Sequence, residues 1–77
     1  MKSHNPLADY RVVLHYKKGS DVMAFRSKEK ADAAITKLKE DVRANGYGFV
    51  TFTDDDDNTV DFLANDFVRA VTKAPRI

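Results

Sequence analysis

The sequence predicts an α+β fold, a single β-β-α-β-β(-β) domain in which one antiparallel sheet carries one helix on one face. Three observations predict it. Residues 27–45 hold a one-sided helical stripe, residues 10–26 alternate like a hairpin, and residues 47–64 alternate again around a polar turn. A one-sided helix in a chain of 77 residues must lie across something flat. The flanking strands are what the chain offers.

The helix is the firmest element. Ala31, Ala34, Ile35, Leu38 and Val42 fall at i, i+3, i+4, i+7 and i+11, one stripe on a 3.6-residue period. Ser27 suits the N-cap and Glu29 the first turn, while Lys30 stands where a capping box would place Glu or Gln. Asn45-Gly46 stops the helix, since both residues tolerate a left-handed backbone, and Arg43 complements the dipole in the last turn.

Before the helix, Tyr10, Val12, Leu14 and Tyr16 share one face of a strand and Arg11, Val13, His15 and Lys17 the other. Lys18-Gly19-Ser20 reads as a tight turn, and Val22 to Arg26 returns with Met23 and Phe25 inward. After the helix, Tyr47 to Thr53 reads as a third strand whose inward set is either Tyr47/Phe49 or Val50/Phe52. Asp54 to Asn58 is a turn, and Thr59 to Ala64 a fourth strand with Val60 and Phe62 inward. Residues 65–73 fit a short fifth strand or a short terminal helix equally well, and Pro75 ends regular structure. Residues 1–8 read as a flexible arm, 9–74 as the domain and 75–77 as a tail.

Composition excludes several classes of function. With no cysteine there is no disulfide framework and no thiolate chemistry. No apolar run approaches the roughly 18 residues that span a bilayer, and the first ten residues lack a signal-peptide core. The expectation is a cytoplasmic protein that engages no membrane. The net charge of +1 is unevenly spread. Residues 1–43 carry ten Lys/Arg against six Asp/Glu, residues 44–66 six Asp and no Lys/Arg, and residues 67–77 three basic residues. Such blocks speak to association and steering.

No constellation specifies a reaction. Asp54, Asp56 and Asn58 resemble the first half of an EF-hand calcium loop, but Thr59 stands where the sharp turn needs Gly and Asn65 where the bidentate Glu belongs. The run reads instead as a solvated hairpin turn. His4 lies in the arm, and His15 has neither an orienting partner nor a nucleophile beside it in sequence. Gly46-Tyr47-Gly48 lacks the third glycine of a dinucleotide fingerprint and precedes a strand. The expected chain is therefore not an enzyme and holds no cofactor, metal or small-molecule ligand.

Two binding classes stay open. One helix cannot shield both faces of a sheet, so the far face needs cover. Val13, His15, Phe49, Phe67 and Val68 are the residues expected to form an interaction face for a protein, another copy included. The alternative partner is nucleic acid, met by Arg11, Lys17, Lys18, Arg26, Lys28 and Lys30 with strand aromatics such as Tyr10, Tyr16, Phe49 and Phe52. YGFVTF resembles the core of an RNP-type RNA-binding strand, without the leading basic-Gly pair or the β-α-β-β-α-β context.

Overall fold

Strand β1 (Tyr10–Tyr16) turns back through Lys17 and Lys18 into β2 (Gly19–Phe25), in a computed structural model that describes residues 9–75. The arm expected over residues 1–8, with His4, lies outside the described residues, as do the last two residues of the expected tail. The two strands pair in register from Tyr10–Phe25 to Tyr16–Gly19. The turn thus sits one residue earlier than Lys18-Gly19-Ser20, because the ladder closes on Gly19 itself. Tyr10, Val12, Leu14, Tyr16, Met23 and Phe25 face inward, with Val12 and Leu14 fully buried.

Helix α1 (Lys28–Asn45) begins where the cap chemistry places it. The Ser27 hydroxyl accepts the Lys30 N–H at 3.2 Å, filling one of the donors that a helix start leaves unpaired. Gly46 ends it with a φ of 58°, its N–H reaching the Val42 carbonyl. Ala31 and Leu38 are buried on the sheet, and Ala34, Ile35 and Val42 pack beside them.

Strands β3 (Phe49–Thr53) and β4 (Thr59–Leu63) form a second hairpin. The chain stays in a turn after the helix, with the Gly48 N–H held by the Asn45 carbonyl at 2.9 Å. The strand therefore starts at Phe49, and Tyr47 is left 88% exposed. Val50 and Phe52 are the inward set, with Phe62 beside them from β4. The Phe52 ring meets Phe25 edge-on at 5.8 Å, and Phe62 meets Tyr16 at 5.0 Å, so the second hairpin is keyed to the first by aromatic pairs.

A single 3₁₀ turn at Ala64–Asp66 then leads to β5 (Phe67–Lys73), a strand rather than a helix. It runs antiparallel along the open side of β1, from Arg11–Lys73 to Tyr16–Phe67. As the central strand, β1 needs a partner on each side, and that demand decides an otherwise even choice. Val68 is the extra residue of a bulge, skipped between the His15–Arg69 and Tyr16–Phe67 pairs.

The fold class is that expected, with one refinement. The strands are hydrogen-bonded in two groups, β2-β1-β5 and β3-β4, rather than in one sheet. Packing, not ladder bonds, joins them around a core of Val12, Leu14, Met23, Phe25, Leu38, Val50 and Phe52.

Candidate interaction surfaces

The alternation that buries the even residues of β1 turns Arg11, Val13 and His15 to the opposite face, and the register brings three rows together there. Val22, Val13 and Val71 form the middle row across β2, β1 and β5. Ala24, Arg11 and Lys73 form the row at one end, and Ser20, His15 and Arg69 the row at the other. Directly opposed residues in antiparallel strands share a face, so these nine positions make one surface. It carries three permanent cations and no carboxylate. Val22 is 59% exposed, and a depression of about 210 Å³ lies among Arg11, Val13, Val22, Lys73 and Ala74.

The five residues expected to make one interaction face fall in four places. Val13 and His15 lie on this open face. Val68 is 57% exposed in the bulge of β5. Phe49, 69% exposed, stands on the outer side of the second hairpin opposite Leu63. Phe67 turns inward and stacks on Phe62 at 5.7 Å, so it belongs to the packing around the core. Val22, Arg69 and Lys73 join this surface although sequence alone does not assign them to it. The pairing of β5 with β1 places Arg69 and Lys73 there, with alternation within residues 67–73 as the local signal, and the pairing of β2 with β1 places Val22.

The basic set expected for nucleic acid is also divided. Arg11 is on the open face, and Lys17 and Lys18 are exposed in the turn. Arg26 is held by Asp9 at 3.1 Å and by Asp56 at 2.7 Å. Lys30 lies 3.8 Å from Asp55, and Lys28 pairs with Asp32 one helical turn away. Of the strand aromatics, Tyr10, Tyr16 and Phe52 face the core, and Phe49 projects from the other hairpin.

The aspartate run explains that division, and it is not the solvated turn expected of it. Asp54 is 6% exposed, and its carboxylate organises the loop. Oδ1 accepts the N–H groups of Asp56 and Asn58, both at 2.9 Å. Oδ2 accepts the Ala24 N–H at 3.0 Å and the Asn58 side-chain amide at 3.2 Å. Burial by itself would raise the pKa of Asp54, but the hydrogen bonds from Ala24, Asn58 and Asp56 outweigh it and hold the group below the usual carboxylate value. With both oxygens turned to N–H donors, Asp54 serves as a loop keystone, a role that an EF-hand comparison does not reveal.

The same loop covers part of an edge. The Asp55 N–H donates to the Ala24 carbonyl at 3.1 Å, and the Asp55 carboxylate accepts the Arg26 N–H at 2.9 Å. With the Ala24 N–H already held by Asp54, three backbone groups at the C-terminal end of β2 are satisfied on the side away from β1. Unpaired edge groups invite other chains, and a covering loop is one way to blunt them.

On the inner side, the Tyr16 hydroxyl donates to Asp21 at 2.9 Å. Burial first, then the bond to Asp21 and its charge, push the Tyr16 pKa well above that of a free phenol. Tyr16 therefore stays a neutral donor, and the pair closes the end of the core. His15 forms no side-chain hydrogen bond or ion pair among the described residues, and no helix there is long and apolar enough to cross a membrane. Comparison with protein-family models, with curated proteins and with solved structures returned no match.

Proposed function

We propose that this chain is a small non-enzymatic interaction module that docks a protein partner on the open face of the β2-β1-β5 sheet. The observation that carries the reading is the row Val22–Val13–Val71, left uncovered by a one-sided helix and bracketed by Arg11, Lys73 and Arg69 with no carboxylate among its positions. Apolar surface in the middle and uncompensated charge at the rim is the anatomy of a protein docking patch. The charge also selects the occupant. A second copy laid face to face would set these cations against their own kind, whereas a partner presenting an apolar segment flanked by carboxylates would complement them. Nucleic acid is the weaker reading, because the face offers no Phe, Tyr or Trp ring for stacking and Arg26, Lys28 and Lys30 are already beside carboxylates.

The test is selection of a random twelve-residue peptide library on immobilised protein, beside a twenty-nucleotide single-stranded DNA. Enriched peptides rich in Asp, Glu and apolar residues, shifting the amides of Arg11, Val13, Val22 and Val71 and lost in V22D, are expected. Val22 is exposed on a strand at the sheet's margin, so the variant keeps the fold. Peptides that bind V22D equally well, or oligonucleotide binding that displaces them from this face, would overturn the proposal.

A further inference from the structure

We infer that the free edge of β5 and the groove between it and α1 accept an extended acidic peptide as an added strand; the inference rests on the protein-binding reading and assigns it a second, adjoining surface. The two edges of the β2-β1-β5 sheet are unlike. Ala24 turns both its N–H and its carbonyl to the aspartate loop, so in β2 it is Asp21, Met23 and Phe25 that bond to β1. Their partners Leu14, Val12 and Tyr10 then bond toward β2, and Arg11, Val13 and His15 bond toward β5. That parity commits Lys73, Val71 and Arg69 to β1 and points the backbone groups of Ala70 and Thr72 outward. No described loop covers them. Among the described residues, no backbone hydrogen bond joins Ala70 or Thr72 to anything beyond the sheet.

Beside this edge lies a groove of about 440 Å³ whose walls are the C-terminal half of α1 and β5. Its apolar lining is Val42, Phe67, Val68 and Ala70, and its charges are Lys39, Arg43 and Arg69, with no carboxylate. The helix itself supplies the contrast. Lys28 and Lys37 each pair with an aspartate four residues on, at 3.3 Å in both cases. Lys39 has Arg43 in that position, and none of the three groove cations forms an ion pair among the described residues.

An extended peptide beside β5 would satisfy the outward groups of Ala70 and Thr72. Its alternate side chains would point one set into the groove, over Val42 and Ala70 and under Lys39 and Arg43. The other set would lie on the open face beside Arg69 and Lys73. Both sets meet cations, so the ligand is an acidic, β-prone segment with apolar residues between its carboxylates.

The probe is an acetylated and amidated eight-residue peptide alternating Glu and Val, with a Lys–Val peptide as control, titrated into isotope-labelled protein. The Glu–Val peptide is expected to shift the amides of Val42, Arg43 and Val68–Thr72 and to slow exchange of the Ala70 and Thr72 N–H protons. Affinity should fall at least tenfold in A70P, which removes an edge donor without touching a β1 bond. It should fall at least tenfold also in K39E/R43E, whose exposed sites leave the fold intact, and it should persist in V22D. Equal binding by the Lys–Val peptide, undiminished binding by K39E/R43E, or no shift in β5 would overturn the inference and leave the open-face reading standing. Loss in V22D alone would assign the peptide to the open face and likewise overturn it. A single-stranded oligonucleotide that shifts the same amides more strongly than the peptide would reassign the groove to nucleic acid and refute an acidic protein ligand.

Discussion

Removing the Asp54 carboxylate should unfasten the loop from the sheet, and the cost can be worked from its three bonds to backbone N–H groups. In Asp54→Ala the half-buried Ala24 N–H loses its acceptor, for about 1–3 kcal/mol. Asp56 and Asn58 are exposed, so water replaces part of what their N–H groups lose, roughly 0.5 kcal/mol each after that compensation. The total is about 2–4 kcal/mol, against a stability of about 4–12 kcal/mol expected for 77 residues. Urea titration at pH 7, followed by circular dichroism, measures it, and the melting temperature should fall by about 10–30 °C. The pKa of Asp54 is lowered in the folded state, so the native protein holds fewer protons there than the unfolded chain. Its contribution is therefore complete above the ordinary carboxylate value near 3.8 and drains away as pH falls through the lower native value. The gap between native protein and Asp54→Asn should accordingly narrow below about pH 4. A loss under 0.5 kcal/mol in Asp54→Ala at pH 7, or a gap constant from pH 7 to pH 3, would refute the keystone role.

Three further outcomes are expected. Leu38→Ala, at the buried centre of the helix stripe, should cost about 2–5 kcal/mol in the same urea assay. Gly46→Ala should cost about 1–2 kcal/mol from backbone strain alone, since an added Cβ meets nothing within 4 Å and only the φ of 58° resists it. Phe49→Ser should leave stability within about 0.5 kcal/mol, because the ring stands outside the core; a larger loss would show that the outer side of the second hairpin is packed.

The candidate interaction surfaces are only partly legible in the sequence. Val13 and His15 could be placed on an outward face because alternation in β1 is a local property with a period of two. Arg69 and Lys73 could not, because their membership depends on β5 crossing back to β1 rather than forming a helix. Arg26 looked like a free cation for the same reason. Its partner Asp56 is 30 residues away, and nothing local announces that the loop docks there.

What the sequence determined by itself is whatever a few neighbouring residues decide. The Ser27 cap, the stripe from Ala31 to Val42 and the Gly46 stop set the helix. The alternations in residues 10–16 and 59–63 set two strands and their inward faces. Tertiary structure decided the cases where local signals tie. Across residues 47–53 one side offers Tyr47 and Phe49 and the other Val50 and Phe52, and the choice fell to Val50 and Phe52 because Phe25 and the helix complete a core around them. Residues 67–73 suit either period, and the unpaired side of β1 drew them into a strand. Four adjacent aspartates look alike in sequence, yet Asp54 alone is drawn inward, because the outward N–H of Ala24 is a donor that only a folded sheet can present to it.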